Sequence, residues 1–150
     1  MKAKDLSAIS RKGAGCLLFT PESKKFLLLK RSDFVPLPNT WCVPGGKVED
    51  NEQVDLAACR ETYEETGYKI EPNLIQLIYT NETHAPHFKF YTFVHILDKP
   101  FKPKLNWESV EYMWTTIDEL PEPLHWGLAQ LFNSERAAKK LLNLIDQNNS

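Results

Sequence analysis

The chain has 150 residues, 42% of them apolar, and a formal net charge of −2. That length and apolar content predict one globular domain over 1–150, long enough to bury a core and too short for two. The near-neutral balance excludes the strong basic field with which a dedicated binder of nucleic acid polymer makes many phosphate contacts, and leaves small anionic ligands open.

The N-terminal segment MKAKDLSAISRKGAG has basic residues but no apolar signal-sequence core, and no run approaches a membrane span. A soluble, cytoplasmic protein is expected, with no membrane partner. Cys16, Cys42 and Cys59 form no CxxC pair, so buried reduced thiols are expected rather than a disulfide, a zinc site or a nucleophile. Gly13 to Thr20 and Phe26 to Arg31 are apolar runs separated by Pro21-Glu22-Ser23-Lys24, the pattern of a hairpin of two buried strands. Residues 32–40 read as a loop, and Trp41 to Val43 as a brief strand that delivers Pro44, Gly45 and Gly46. Tandem glycines let backbone carbonyls approach a ligand or ion closely.

From Gly46 to Tyr68 the chain reads GKVEDNEQVDLAACRETYEETGY. A helix is predicted to start near Asn51 or Glu52, with Asp50 or Asn51 as its cap, and to stop before Gly67. Its turn of about 100° per residue gathers Glu61, Glu64 and Glu65 within roughly a 100° arc. Such a cluster repels itself unless a cation neutralises it, and hard oxygen ligands suit Mg²⁺ or Mn²⁺. Leu56, Cys59 and Tyr63 are expected to point away from the carboxylates onto a sheet, with Ala57 and Ala58 leaving the acidic side uncrowded.

Downstream, Leu74 to Asn81 and Phe88 to Leu97 read as a strand pair joined by a Thr-His-Ala-Pro-His loop, in which His84 and His87 read as a surface turn. Asp98 to Asn106, with Lys99, Lys102 and Lys104, reads as a solvated loop. A further strand is predicted over Glu111 to Ile117, and apolar spacing at Leu128, Leu131, Phe132, Leu141, Leu142 and Ile145 predicts a helix over Trp126 to Asp146. The last helix suits either sealing the core or forming a homodimer face. Strands around one acidic helix and a closing amphipathic helix predict an α/β protein with a mixed sheet between helices.

The segment Gly46 to Tyr68 resembles the Nudix box. All seven fixed positions match, namely Gly46, Glu52, Arg60, Glu61, Glu64, Glu65 and Gly67; at about 7% usage each, their joint chance is on the order of 10⁻⁸ per starting point. Thr62 and Tyr68 stand where the pattern has aliphatic residues. The resemblance implies the Nudix α/β/α sandwich, Mg²⁺ (Mn²⁺ also suitable) as cofactor, and Glu64 and Glu65 as principal metal ligands, with the Gly45 carbonyl as an extra one. Glu61 becomes a ligand or the general base. Arg60 is read as a scaffold that orients a carboxylate such as Glu52 through a bidentate pair, while Gly46, Glu52 and Gly67 are structural. Such sites often take another acid from outside the box, and Glu108 and Glu111 are the candidates, placed with Trp41 on the substrate side. Phe34, Trp41, Tyr79, Phe90 and Trp126 include the possible stacking partners for a base, although burial is the commoner use of aromatic residues.

The expected activity is hydrolysis of the pyrophosphate link in a nucleoside diphosphate joined to another moiety, such as ADP-ribose, a dinucleoside polyphosphate, FAD or NADH. Pro86 lies somewhat beyond the position where an ADP-ribose-preferring subgroup carries a proline. The alternatives are cleavage of nucleoside triphosphates, oxidised ones included, to monophosphate and pyrophosphate, and a non-hydrolytic nucleotide sensor.

Overall fold

A computed structural model describes residues 11–84 and 87–149. Pro86 and most of the N-terminal segment fall outside them. Strands β1 (Arg11–Thr20) and β2 (Lys25–Arg31) form the expected hairpin, with Phe19 opposite Phe26 and Thr20 opposite Lys25. The turn closes with Lys24 at a left-handed φ of 58° and with Thr20 Oγ1 2.6 Å from Ser23 Oγ. The chain continues through β3 (Trp41–Cys42), β4 (Gly45–Lys47), helix α1 (Val54–Thr66), β5 (Ile75–His84), β6 (His87–Ile96), β7 (Ser109–Thr115), α2 (Trp126–Phe132) and α3 (Glu135–Asn149).

The sheet runs β3-β2-β1-β6-β5, with β4 also on β1 and β7 on β2. β1 and β6 are parallel from Arg11–Phe88 to Phe19–Ile96, and the other pairs are antiparallel, so the sheet is mixed. Alternation along the central strands explains its two covers, because successive side chains leave opposite faces. Ala14, Cys16 and Leu18 of β1 join Leu27 and Leu29 of β2 in the core beneath α1. Leu17 and Phe19 join Phe26 and Leu28 in a second core with Leu128 and Leu131 of α2 and Ala137 and Leu141 of α3. The result is the expected α/β/α sandwich. Cys16 and Cys59 are buried, Cys42 is partly buried, and all three are free thiols.

Several boundaries depart from the sequence reading. α1 starts at Val54, after Gln53 as an uncapped N-terminal residue, because Asn51 takes a left-handed φ of 64° and Glu52 closes a turn onto Glu49 O at 3.1 Å. Its register also differs. Leu56 and Tyr63 are 44% and 56% exposed, whereas Ala57, Ala58 and Thr62 are fully buried. Small residues at the contact bring the helix close to the sheet, so the face that carries Glu61 and Glu65 turns inward. Thr62 fits its apolar position because its hydroxyl donates to Ala58 O at 2.7 Å. Tyr68 stacks on Phe101 at 4.7 Å, and its hydroxyl lies 3.3 Å from His95 Nε2.

The C-terminal helix is two helices. Ser134 separates them: its Oγ accepts from Ala137 N–H at 3.2 Å and starts α3 afresh. β7 begins at Ser109, where its pairing with β2 shifts register across Lys30 and Arg31, and ends at Thr115, whose hydroxyl donates to Glu119 O at 2.9 Å in the following turn.

Candidate active site

Two short pieces of backbone bring the box residues together. β4 pairs antiparallel with β1, Gly45 opposite Gly15 and Gly46 opposite Ala14, and α1 packs across both strands. Gly46 is glycine for want of space: a Cβ there would lie 2.6 Å from the Glu61 carboxylate. Gly45 N–H donates to Glu65 Oε2 at 2.9 Å, fixing the second inward carboxylate against the same strand. Gly67 ends α1 at a left-handed φ of 78°, with its N–H on Tyr63 O at 2.8 Å.

Arg60 ties the cluster into one unit. Its Nε and Nη2 donate to the two oxygens of Glu52 at 2.8 and 3.0 Å, a bidentate pair, and Nη2 also reaches Lys47 O at 2.9 Å. Nη1 contacts Glu61 Oε1 at 3.0 Å and both Glu64 oxygens at 3.2 Å. The electrostatics follow from this distribution. Hydrogen bonds from Arg60 hold Glu52 below the usual carboxylate range. Burial pushes Glu61 upward despite Arg60, and burial, with Glu108 and Glu61 nearby, raises Glu65 to about 9. One guanidinium against this many acids leaves negative charge uncompensated.

That surplus is the test of fit for a divalent cation. The donor set is hard oxygen, and its two most buried members resist ionisation alone, which a dication reverses. Among the described residues no three His, Cys, Asp or Glu side chains converge as a ready-made metal cage. Arg60 draws Glu61 and Glu64 to itself instead. Glu108 is half-buried and close enough to raise both Glu61 and Glu65. Glu111, its side chain 57% exposed, stands apart with Lys30 at 3.9 Å.

A cavity of about 640 Å³ opens on the other side of β4. Gly45, Gly46 and Lys47 form one wall; Phe88, Phe90 and Trp126 supply aromatic surface, with Arg11 and Arg31 as further cations. Gly13 makes room for that surface, since a Cβ there would meet Phe90 at 2.6 Å and Phe88 at 2.9 Å. Leu128 and Leu131 close the floor, so the cavity belongs to the α2 side of the sheet and the carboxylates to the α1 side. β4 is the shared partition. Of the aromatic candidates, Phe90 and Trp126 line the cavity, Trp41 is 5% exposed within the second core, Tyr79 packs against that core, and Phe34 is 81% exposed elsewhere. Lys99, Lys102 and Lys104 lie outside it. Asn81, Phe88, Arg31 and His125 were not singled out by sequence; only the Phe88–Phe90 alternation hinted at a shared face.

A mixed sheet between helices, with a glycine-bounded acidic helix laid across one short strand, is the α/β architecture of Nudix proteins. The chain belongs to the Nudix hydrolase superfamily: residues 9–134 match the family described as NUDIX domain. It is similar to rat diphosphoinositol polyphosphate phosphohydrolase 2, 38% identical over 87 residues, 58% of this chain and 45% of that protein. It also resembles a CMP-5'-(N-acetyl-N-hydroxy-3-aminopropyl)phosphonate hydrolase of Streptomyces rubellomurinus, 30% identical across 77% of this chain and 56% of the relative. The chain thus spans about half the length of these curated relatives. Among solved structures, a MutT NUDIX hydrolase from Burkholderia pseudomallei superposes with a TM-score of 0.73 at 25% identity, covering 85% of this chain and 98% of the other.

Proposed function

We propose that the protein hydrolyses the phosphoanhydride of a nucleoside diphosphate linked to another moiety, with Mg²⁺ or Mn²⁺ held by Glu61, Glu64, Glu65 and the Gly45 carbonyl. The observation that carries this reading is β4 as a common wall between the acidic cluster and an aromatic cavity. A substrate whose planar end lies against Phe88, Phe90 and Trp126 has its phosphates brought to Gly45 and Gly46, beside the carboxylates. When bound, the cation neutralises charge on phosphate oxygens and lowers the pKa of a water. The chain's own part is positional. Gly46 admits Glu61 to the strand, Gly45 N–H orients Glu65, and Arg60 keeps Glu52, Glu61 and Glu64 on one side of α1. Glu61 is the candidate base and Glu108 the acid contributed from outside the box. Arg11, Arg31 and Lys47 line the cavity and are the cations we assign to the outer phosphates.

The cavity's composition supports a nucleotide over a highly phosphorylated inositol. Three cations among aromatic and aliphatic walls suit a few phosphates joined to a planar apolar group, whereas an inositol ring crowded with phosphates calls for a denser basic lining. The Streptomyces relative is named for hydrolysing a CMP derivative, which agrees in class. The test is chromatographic product analysis with ADP-ribose, FAD, NADH, diadenosine polyphosphates and nucleoside triphosphates, with Mg²⁺ or Mn²⁺. Two phosphate-bearing products from a dinucleotide or sugar nucleotide, lost in Glu64→Gln, are expected. Pyrophosphate release from a triphosphate alone would overturn the substrate class, and absence of turnover would overturn the enzyme reading.

A further inference from the structure

The cavity contains two polar groups that neither the carboxylate cluster nor the phosphate-facing cations account for. Asn81 of β5, only 4% exposed, commits its amide nitrogen to α2: Nδ2 donates to Gly127 O at 3.3 Å and to Gln130 Oε1 at 2.6 Å. With both hydrogens engaged the amide cannot turn, and Oδ1 is left as an acceptor with no hydrogen bond among the described residues. His125 is fixed in the same way. Its Nδ1 accepts from Gly127 N–H at 3.1 Å, so the neutral ring carries its proton on Nε2 as a donor. Burial, with Arg31 nearby, pulls the ring down to about 4 and keeps it neutral at pH 7. Trp126 stacks on it with centroids 5.6 Å apart.

Gly127 stands between the two. A Cβ on it would lie 3.4 Å from His125 Nδ1 and 3.8 Å from Asn81 Oδ1, so its bare backbone leaves open the space that both groups border. All three residues line the cavity whose aromatic walls are Phe88, Phe90 and Trp126. A fixed acceptor and a fixed donor lining one cavity with aromatic and aliphatic walls become costly to leave unpaired once a ligand excludes water, and so select a ligand that presents the complementary groups.

We propose that Asn81 and His125 read the hydrogen-bonding edge of a nucleobase, Asn81 Oδ1 accepting an N–H from the base and His125 Nε2–H donating to a neighbouring acceptor. This rests on the nucleotide reading above and adds to it the residues that set specificity. Adenine and guanine each offer a donor beside an acceptor. Unsubstituted purine keeps the rings of both and the ring-nitrogen acceptors of adenine but has no N–H donor on that edge. Gln130 acts through Asn81, as the positioning residue that keeps the amide from flipping.

The experiment is equilibrium titration of the intact protein with AMP, GMP and purine riboside 5′-monophosphate in Mg²⁺. None of these probes has an anhydride to cleave, and all share phosphate, ribose and stacking surface. AMP or GMP is expected to bind at least about tenfold more tightly than the purine riboside, and the preference to fall within about threefold in Asn81→Ala. The wild-type ratio needs no variant, so a poorly folded Asn81→Ala leaves the test intact. Equal wild-type affinities would overturn the pair while leaving nucleotide hydrolysis standing. A preference that persists in a folded Asn81→Ala protein would overturn the assignment to Asn81. No binding of any probe, alongside turnover of a non-nucleotide diphosphate, would overturn both readings.

Discussion

At the scale of single residues, the site depends on a missing side chain as much as on those present. Gly46 lets the Glu61 carboxylate press against β4, where a methyl group would come within 2.6 Å of it. Gly46→Ala is therefore expected to keep the fold, because the obstructing atoms end a side chain that can swing away. It should weaken Mn²⁺ binding about 10- to 100-fold, as loss of a ligand's positioning does. Titration of Mn²⁺ by electron paramagnetic resonance checks this, and wild-type affinity in the variant would show that Glu61 needs no such placement. The acidic residues, Arg60 and the two box glycines were legible because each stands at a fixed spacing within 23 residues. Asn81 and His125 were not. They lie 44 positions apart and meet only because β5 packs against α2, which no local pattern encodes.

Elements show where periodicity informs and where it misleads. The hairpin, β5, β6 and the end of α1 at Gly67 were readable from apolar runs, β-forming residues and turn chemistry, whereas β4 was not read as a strand. The orientation of α1 was not, since an acidic stripe normally faces water and here the need to reach β4 turns Glu61 and Glu65 inward over Ala57 and Ala58. The division between α2 and α3 also escaped the apolar spacing, which runs through it, while the cap at Ser134 breaks it. α2 depends on an unusual cap, His125 accepting Gly127 N–H through Nδ1, and that cap titrates. The folded ring has a pKa near 4, below its ordinary value of about 6.5, so between those values the unfolded chain binds the extra proton. The contribution is thus fully present above about pH 6.5 and is lost as pH falls toward 4, on the order of 1–2 kcal/mol after allowance for solvent screening. Denaturant melts at pH 7 and pH 4.5 should show a smaller acid-side loss in His125→Gln than in the wild type; parallel losses would contradict the assignment.

Across the whole molecule, one sheet separates two kinds of chemistry. β1 alternates between an α1-facing core and an α2–α3-facing core, which holds β4 as a thin partition between carboxylates and cavity. Among the described residues no helix is long and apolar enough to cross a membrane. The α/β/α architecture was legible from element order, whereas the cavity was not, because its walls come from six separate strands and a helix that only the assembled sheet brings together. The claim that joins these parts is attack by water on an anhydride beside the carboxylate cluster. Mass spectrometry of the products formed from ADP-ribose in ¹⁸O-labelled water tests it most directly. One heavy oxygen is expected in one of two phosphate-bearing products, dependent on Mg²⁺ or Mn²⁺ and reduced about 10²–10³-fold or more in Glu64→Gln. Product formed equally well by that variant or in excess chelator, or product without the label, would contradict it.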